Sequence, residues 1–187
     1  MTSSKTLTIM IARTAAGKTT LSKIFKSEGY LQLMSYTTRP FREGGSDLEE
    51  YIFLSKENFD LAEKQAEFVV NEDWKYGVDL SLLPPANYFF SAISASYACD
   101  IANAAIEQGF DSVKIFILNL DQDIRRQRLV ERGESEESIE RRFKIEFEEG
   151  EYSLPEISKS VGNNASVTIL NTGNLSPQET YDFIKIL

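Results

Sequence analysis

Leu7-Thr8-Ile9-Met10-Ile11 is an apolar, strand-like run that leads straight into Ala12-Arg13-Thr14-Ala15-Ala16-Gly17-Lys18-Thr19, and a helix-like segment opens at Thr20. Strand, loop and helix in that order make the middle stretch a candidate phosphate-binding loop. In the pattern G-x-x-x-x-G-K-[ST], backbone N–H groups surround the phosphates, and the helix dipole favours their negative charge. Here those N–H groups come from Arg13, Thr14, Ala15, Ala16, Gly17, Lys18, Thr19 and Thr20. Lys18 would reach the terminal phosphates, and Thr19 would bind magnesium. Ala12 stands where the pattern has its first glycine; nothing is lost if it keeps extended angles, because only left-handed angles suit alanine poorly.

The 187 residues suffice for one well-buried core, so one domain is expected. A net charge of -9 argues against a sequence-independent nucleic-acid binder, whose affinity depends on basic residues neutralising phosphates. Neither DNA, RNA nor a membrane is an expected partner, and the sequence leaves oligomeric state open. An acidic chain that binds phosphates must gather its arginines locally. The lone cysteine, Cys99, has apolar neighbours in Ala98 and Ile101, which points to packing and to a reducing, cytoplasmic setting. Histidine is absent, which excludes Ser-His-Asp and Cys-His catalysis and histidine-ligated zinc. Lysine, arginine, carboxylates, hydroxyls and a hard metal ion remain.

Further along, apolar residues at Leu21, Ile24 and Phe25 predict a helix that stops at Gly29. Tyr30 to Met34 is a short apolar run, and Pro40 with Gly44-Gly45 marks 35–42 as loop. Tyr51 and Phe53 alternate as in a strand, Ser55 is a fair N-cap for a helix through Phe59, and Glu67 to Val70 reads as another strand. Tyr88 to Ile93 and Val113 to Leu118 are continuous apolar runs suited to strands covered on both faces, with a helix from Ser96 to Gln108 between them. Strands alternating with helices imply an α/β class with parallel pairing and right-handed crossovers. From Asp121 a charged helical stretch rich in arginine is broken at Gly133 and restarts over 136–149, the pattern of a two-armed flap. Val167 to Leu170 predicts a last strand. A closing helix over 176–186 puts Tyr181, Ile184 and Leu187 at core spacing.

Ser35-x-Thr37-Thr38-Arg39-x-x-Arg42, Glu50-Tyr51-x-Phe53, Tyr76-Gly77, Arg132-Gly133-x-x-x-Glu137-Ser138-Ile139-x-Arg141-Arg142 and Asn171 follow the order found in guanylate kinases, which the chain resembles over nearly its whole length. The resemblance implies a three-layer P-loop NTPase fold with a parallel sheet. It divides the chain into a core (1–34, 80–124 and 160–187), an inserted lobe for the nucleoside monophosphate (35–79) and a helical lid (125–150). It further implies transfer of the ATP γ-phosphoryl group to a nucleoside monophosphate with Mg2+, GMP or dGMP being the first choice. Such transfer needs positioning and charge stabilisation more than covalent help, which suits a histidine-free chain.

By that resemblance Lys18, Arg132 and Arg142 handle the transferring group, and Asn171 lies near the donor's adenine. Ser35, Arg39, Arg42, Tyr51 and Tyr76 match acceptor-binding positions. The base end departs from the family. Direct alignment puts Val70 where an acid reads guanine, leaving Glu72 as the nearest carboxylate. Val78 replaces a hydroxyl residue, and Phe90 to Ser94 lacks the family's aspartates. Two other readings stay open: a kinase of a phosphorylated sugar, similar to the ribose bisphosphate phosphokinases, and a catalytically silent binding module.

Overall fold

A computed structural model describes residues 4–41, 47–70, 74–92, 94–148, 154–161 and 165–187. Arg42 and Glu72 lie outside the described residues, as does the side chain of Val70. In chain order the elements are β1 (Thr6–Ala12), α1 (Lys18–Ser27), β2 (Leu31–Gln32), β3 (Ser35–Thr37), α2 (Asp47–Glu50), β4 (Tyr51–Phe53), α3 (Lys56–Leu61), β5 (Ala66–Val70) and β6 (Trp74–Val78). There follow β7 (Asn87–Ala92), α4 (Ala95–Glu107), β8 (Ser112–Asn119), α5 (Gln122–Glu131), α6 (Glu136–Glu148), α7 (Leu154–Ser160), β9 (Ala165–Asn171) and α8 (Pro177–Ile186).

Five strands form a parallel sheet in the order β2-β7-β1-β8-β9. Alternation sorts the residues of its inner strands between two cores, because successive side chains leave opposite faces. Leu7, Ile9 and Ile11 of β1 join Val113, Ile115 and Ile117 of β8 beneath α4 and α7. Met10, Phe116 and Leu118 go to the other face, with Leu21 and Phe25 of α1 and Tyr181 and Ile184 of α8. The result is a three-layer α/β fold. Leu187, placed in the core by its spacing, is 57% exposed, since α8 ends one residue earlier and Ile184 is the last residue it buries.

A second, four-stranded sheet has the order β4-β3-β6-β5. Its β3 overturns the reading of 35–42 as loop throughout: Ser35–Thr37 pairs in parallel with β4 and antiparallel with β6. Partners distant in sequence complete that strand, and Pro40 lies beyond it. The antiparallel β5–β6 pair matches Ala66 with Val78 and Val70 with Trp74. Cys99 is buried on α4, and burial pushes its thiol pKa up, in keeping with a packing role.

Phe25 anchors the face shared by α1 and α8. It is fully buried, stacks on Phe89 with ring centroids 5.3 Å apart, and meets Tyr30 and Tyr181 edge-on at 4.9 and 5.1 Å. Replacing such a side chain by alanine costs about 3–5 kcal/mol, whereas losing the Ser176 hydroxyl that caps α8 costs about 1 kcal/mol. Urea denaturation is expected to rank Phe25→Ala well below Ser176→Ala in stability; equal midpoints would contradict this packing.

Candidate active site

Side-chain oxygens of Ser55, Ser94, Asp121 and Ser176 cap α3, α4, α5 and α8. Helix α1 has no such cap: it opens at Gly17, whose φ of +103° suits glycine, and has no acidic residue in its first turn. Its unsatisfied N–H groups and the positive end of its dipole therefore face the loop that precedes it. Ala12 ends β1 in register with Leu118, so the missing first glycine costs nothing. The demanding position is Ala15, at φ +60°, where a left-handed alanine costs roughly 1–2 kcal/mol. Its methyl is buried with Leu129 of α5 and with Ile139 and Phe143 of α6, contacts that offset the strain and seat both helices on the loop.

The expected gathering of arginines occurs around Thr14 and Ala15. Arg128 donates from Nη1 to the Ala15 carbonyl at 3.2 Å, and Arg142 from Nη1 to the Thr14 hydroxyl at 3.4 Å and from Nε to Glu134 at 2.9 Å. Arg125 donates from Nη1 to Glu146 Oε2 at 2.6 Å and reaches the Thr14 carbonyl at 3.4 Å. Arg13 donates to the Glu146 carbonyl at 2.9 Å. Arg132 stands apart: it C-caps α5, is exposed, and its side chain makes no hydrogen bond or ion pair among the described residues. In the sequence Arg125 and Arg128 belong to the arginine-rich stretch without an assigned site role, and Glu146 has none either. The spacing of the two arginines on α5 was the available signal, and Glu146 is one glutamate among many.

Lys18 donates from Nζ to the Ala92 carbonyl at 3.0 Å, across the C-terminal ends of β1 and β7. Burial pushes its pKa below the ordinary lysine value, and the Glu50 carboxylate partly opposes this. Thr19 and Thr20 are exposed at the start of α1. Among the described residues no three His, Cys, Asp or Glu side chains are grouped to hold a metal ion. A single hydroxyl from Thr19 fits magnesium carried in on substrate phosphates, since that ion keeps several waters and takes few protein ligands.

Beyond the loop a cavity of about 830 Å3 opens at the ends of β8 and β9, lined by Arg13, Arg125, Phe143, Phe147, Asn119 and Asn171 among others. Asn119 donates from Nδ2 to Asn171 Oδ1 at 2.9 Å, which fixes both amides at its rim. On the other side, Arg39 is buried with its guanidinium 5.1 Å from the Tyr51 ring and 5.7 Å from that of Phe53. Arg39 donates from Nη1 to the Pro40 carbonyl at 3.0 Å, and Tyr51 meets Tyr76 at 5.9 Å. Ser35 faces inward, its hydroxyl 3.3 Å from that of the fully buried Tyr97, whose phenol is pushed to a higher pKa by burial. Ser91 of β7 is likewise turned to Ser22, and Val78 is fully buried.

No protein-family model matches the chain. The guanylate kinase of Symbiobacterium thermophilum is 32% identical over 146 residues, 73% of this chain and 68% of that protein. The guanylate kinase of Neisseria gonorrhoeae is 35% identical over 156 residues, covering 78% and 74%. That of Legionella pneumophila (strain Paris) is 26% identical over 166 residues, covering 84% and 78%. In fold, the chain is similar to a crystal structure of guanylate kinase from Anaplasma phagocytophilum, with a TM-score of 0.58 at 16% identity over 98% of this chain and 84% of that one. These relatives lend no support to a sugar-phosphate kinase or a silent binding module.

Lys18 carries a signed stability prediction. Its folded pKa lies below its unfolded value, so at neutral pH, where the unfolded chain's lysine is charged, burying it costs stability. The cost fades as pH rises through the window between the folded and unfolded values. Lys18→Met is therefore expected to melt at a higher temperature than wild type at pH 7, the gain narrowing at alkaline pH; a lower Tm at pH 7 would contradict the burial argument.

Proposed function

The chain belongs to the guanylate kinase family, and on that footing we propose that it transfers the γ-phosphoryl group of ATP to GMP, yielding ADP and GDP. The observation that carries the reading is geometric: α1 opens uncapped behind a loop on which Arg128 and Arg142 converge, with Lys18 at its first turn reaching the Ala92 carbonyl. An oxygen of the acceptor phosphate attacks the γ-phosphorus, and the bond from that phosphorus to the ADP oxygen breaks. N–H groups of the loop and of the first turn of α1 hold the donor phosphates, with Lys18 at their terminal end. Arg39 holds the acceptor phosphate against Tyr51, with Arg42 and Tyr76 as its proposed companions. Arg142 stabilises charge on the moving group, and Arg132 joins it when the helices of 125–150 close as a lid over the lobe and core. Magnesium, with Thr19 as its protein ligand, neutralises phosphate charge when bound. The adenine belongs in the cavity beside Asn171.

Base selection rests on thinner chemistry than phosphate handling. The Val78 side chain offers no hydrogen bond, the Ser35 and Ser91 hydroxyls are engaged within the fold, and Glu72 is the acid proposed to meet guanine. Unpaired polar edges of a buried base lower discrimination between bases, so other purine monophosphates are expected to serve beside GMP at lower kcat/KM. Among the described residues no helix is long and apolar enough to cross a membrane. A cytoplasmic setting fits the buried, unpaired Cys99.

A panel of nucleoside monophosphates and ribose bisphosphate in one coupled ADP-release assay tests the reading. GMP and dGMP are expected to give the highest kcat/KM, and Arg39→Ala to raise the acceptor KM at least tenfold with little change for ATP, the signature of lost binding on one side. ADP release with no nucleoside monophosphate would contradict it.

A further inference from the structure

One N–H of the donor loop is already taken by an anion of the protein's own. Glu146, near the C-terminal end of α6, accepts a hydrogen bond at Oε1 from the Thr14 N–H at 2.7 Å and one at Oε2 from Arg125 Nη1 at 2.6 Å. Arg13 lies over the same carboxylate at 3.8 Å. Arg125 is 5% exposed and packs 5.0 Å from the Phe143 ring, and its buried Nε has no hydrogen-bond partner among the described residues. A guanidinium with one arm paired and another unpaired, buried beside a loop built for phosphate, is short of one acceptor. A carboxylate has two oxygens, both already engaged here; a phosphate group brings more oxygens and more charge to the same donors.

We propose that Glu146 is an internal stand-in for a donor phosphate oxygen, and that Arg125 is a donor-phosphate residue which it holds in reserve. This rests on the kinase reading above. ATP competes with Glu146 for the Thr14 N–H and for Arg125, because two anions cannot share those donors without repulsion. When the phosphate wins, Arg125 passes from carboxylate to phosphate and its Nε gains the missing acceptor. The last turns of α6 are released from the loop in the same event. Arg142, on the same helix and touching the Thr14 hydroxyl, is then free to follow the phosphoryl group. The lid is thus latched by a group that its own substrate displaces.

Were Glu146 only a neutraliser of a buried arginine, its removal would loosen the loop and weaken the donor. The latch gives the opposite sign. Binding of ATP and of inorganic tripolyphosphate, measured by calorimetry, is expected to tighten about fivefold or more in Glu146→Gln, since one charge-assisted competitor has been removed. Glu146→Asp, too short to span Arg125 and the Thr14 N–H together, is expected to shift the same way, and serves if the glutamine variant fails to fold. The gain is expected to vanish in Arg125→Lys combined with Glu146→Gln. Unchanged or weaker binding in the folded Glu146 variants overturns the latch while wild type still binds ATP and transfers to GMP; a gain that survives the loss of Arg125 overturns that residue's part. Wild type that binds neither ATP nor tripolyphosphate would overturn the kinase reading, and the latch with it.

Discussion

Everything at the site depends on β1 being hydrogen-bonded along both flanks, to β7 on one side and β8 on the other. A strand so placed cannot shift without breaking both ladders, so the loop at its C-terminal end is fixed relative to the ends of its neighbours. The chain leaves β1 through α1 towards β2 at one edge, returns in β7, and crosses over β1 by α4 to reach β8. Strand order thus reverses at β1, and the crevice beyond the strand ends is where open α/β sheets place their ligands. Lys18 spans that crevice by binding the last carbonyl of β7.

Charge is then distributed against the average of the molecule. The chain carries a net -9, yet Arg13, Arg125, Arg128 and Arg142 converge on the peptide of Thr14 and Ala15 or on the carboxylate held there. Burial makes the Arg125 guanidinium expensive to leave without an acceptor, and Glu146 with the Thr14 carbonyl supplies one. The same cluster holds two helices against the loop through Ala15, Leu129, Ile139 and Phe143. The seating of α5 and α6 and the charge around the loop are therefore one electrostatic problem.

How much of this could be read in the sequence follows from how local each signal is. Gly17-Lys18-Thr19 after an apolar run is contiguous, and the strand, turn and helix it announces are all present. The buried strands β7 and β8 declare themselves by composition. β3 does not, because three residues become a strand only when Tyr51–Phe53 and Tyr76–Gly77 close on them. In the sequence Ala15 is one loop N–H among eight, since only the backbone angle reveals which alanine is under strain. Glu146 meets Thr14 across 132 residues, a separation at which no local pattern marks one glutamate out from its neighbours. Ser35 was legible as a motif residue, whereas its commitment to Tyr97 depends on where α4 begins.

The central claim is that the donor loop and the Arg39–Tyr51 pair serve a single crevice, so that phosphoryl transfer is direct. Binding of an adenosine and a guanosine joined 5′ to 5′ through five phosphates tests it most directly, because one molecule must then fill both ends at once. The account predicts that this compound binds at least tenfold tighter than ATP or GMP alone and competes with both. Affinity no better than that of ATP, with GMP binding undisturbed, would contradict it.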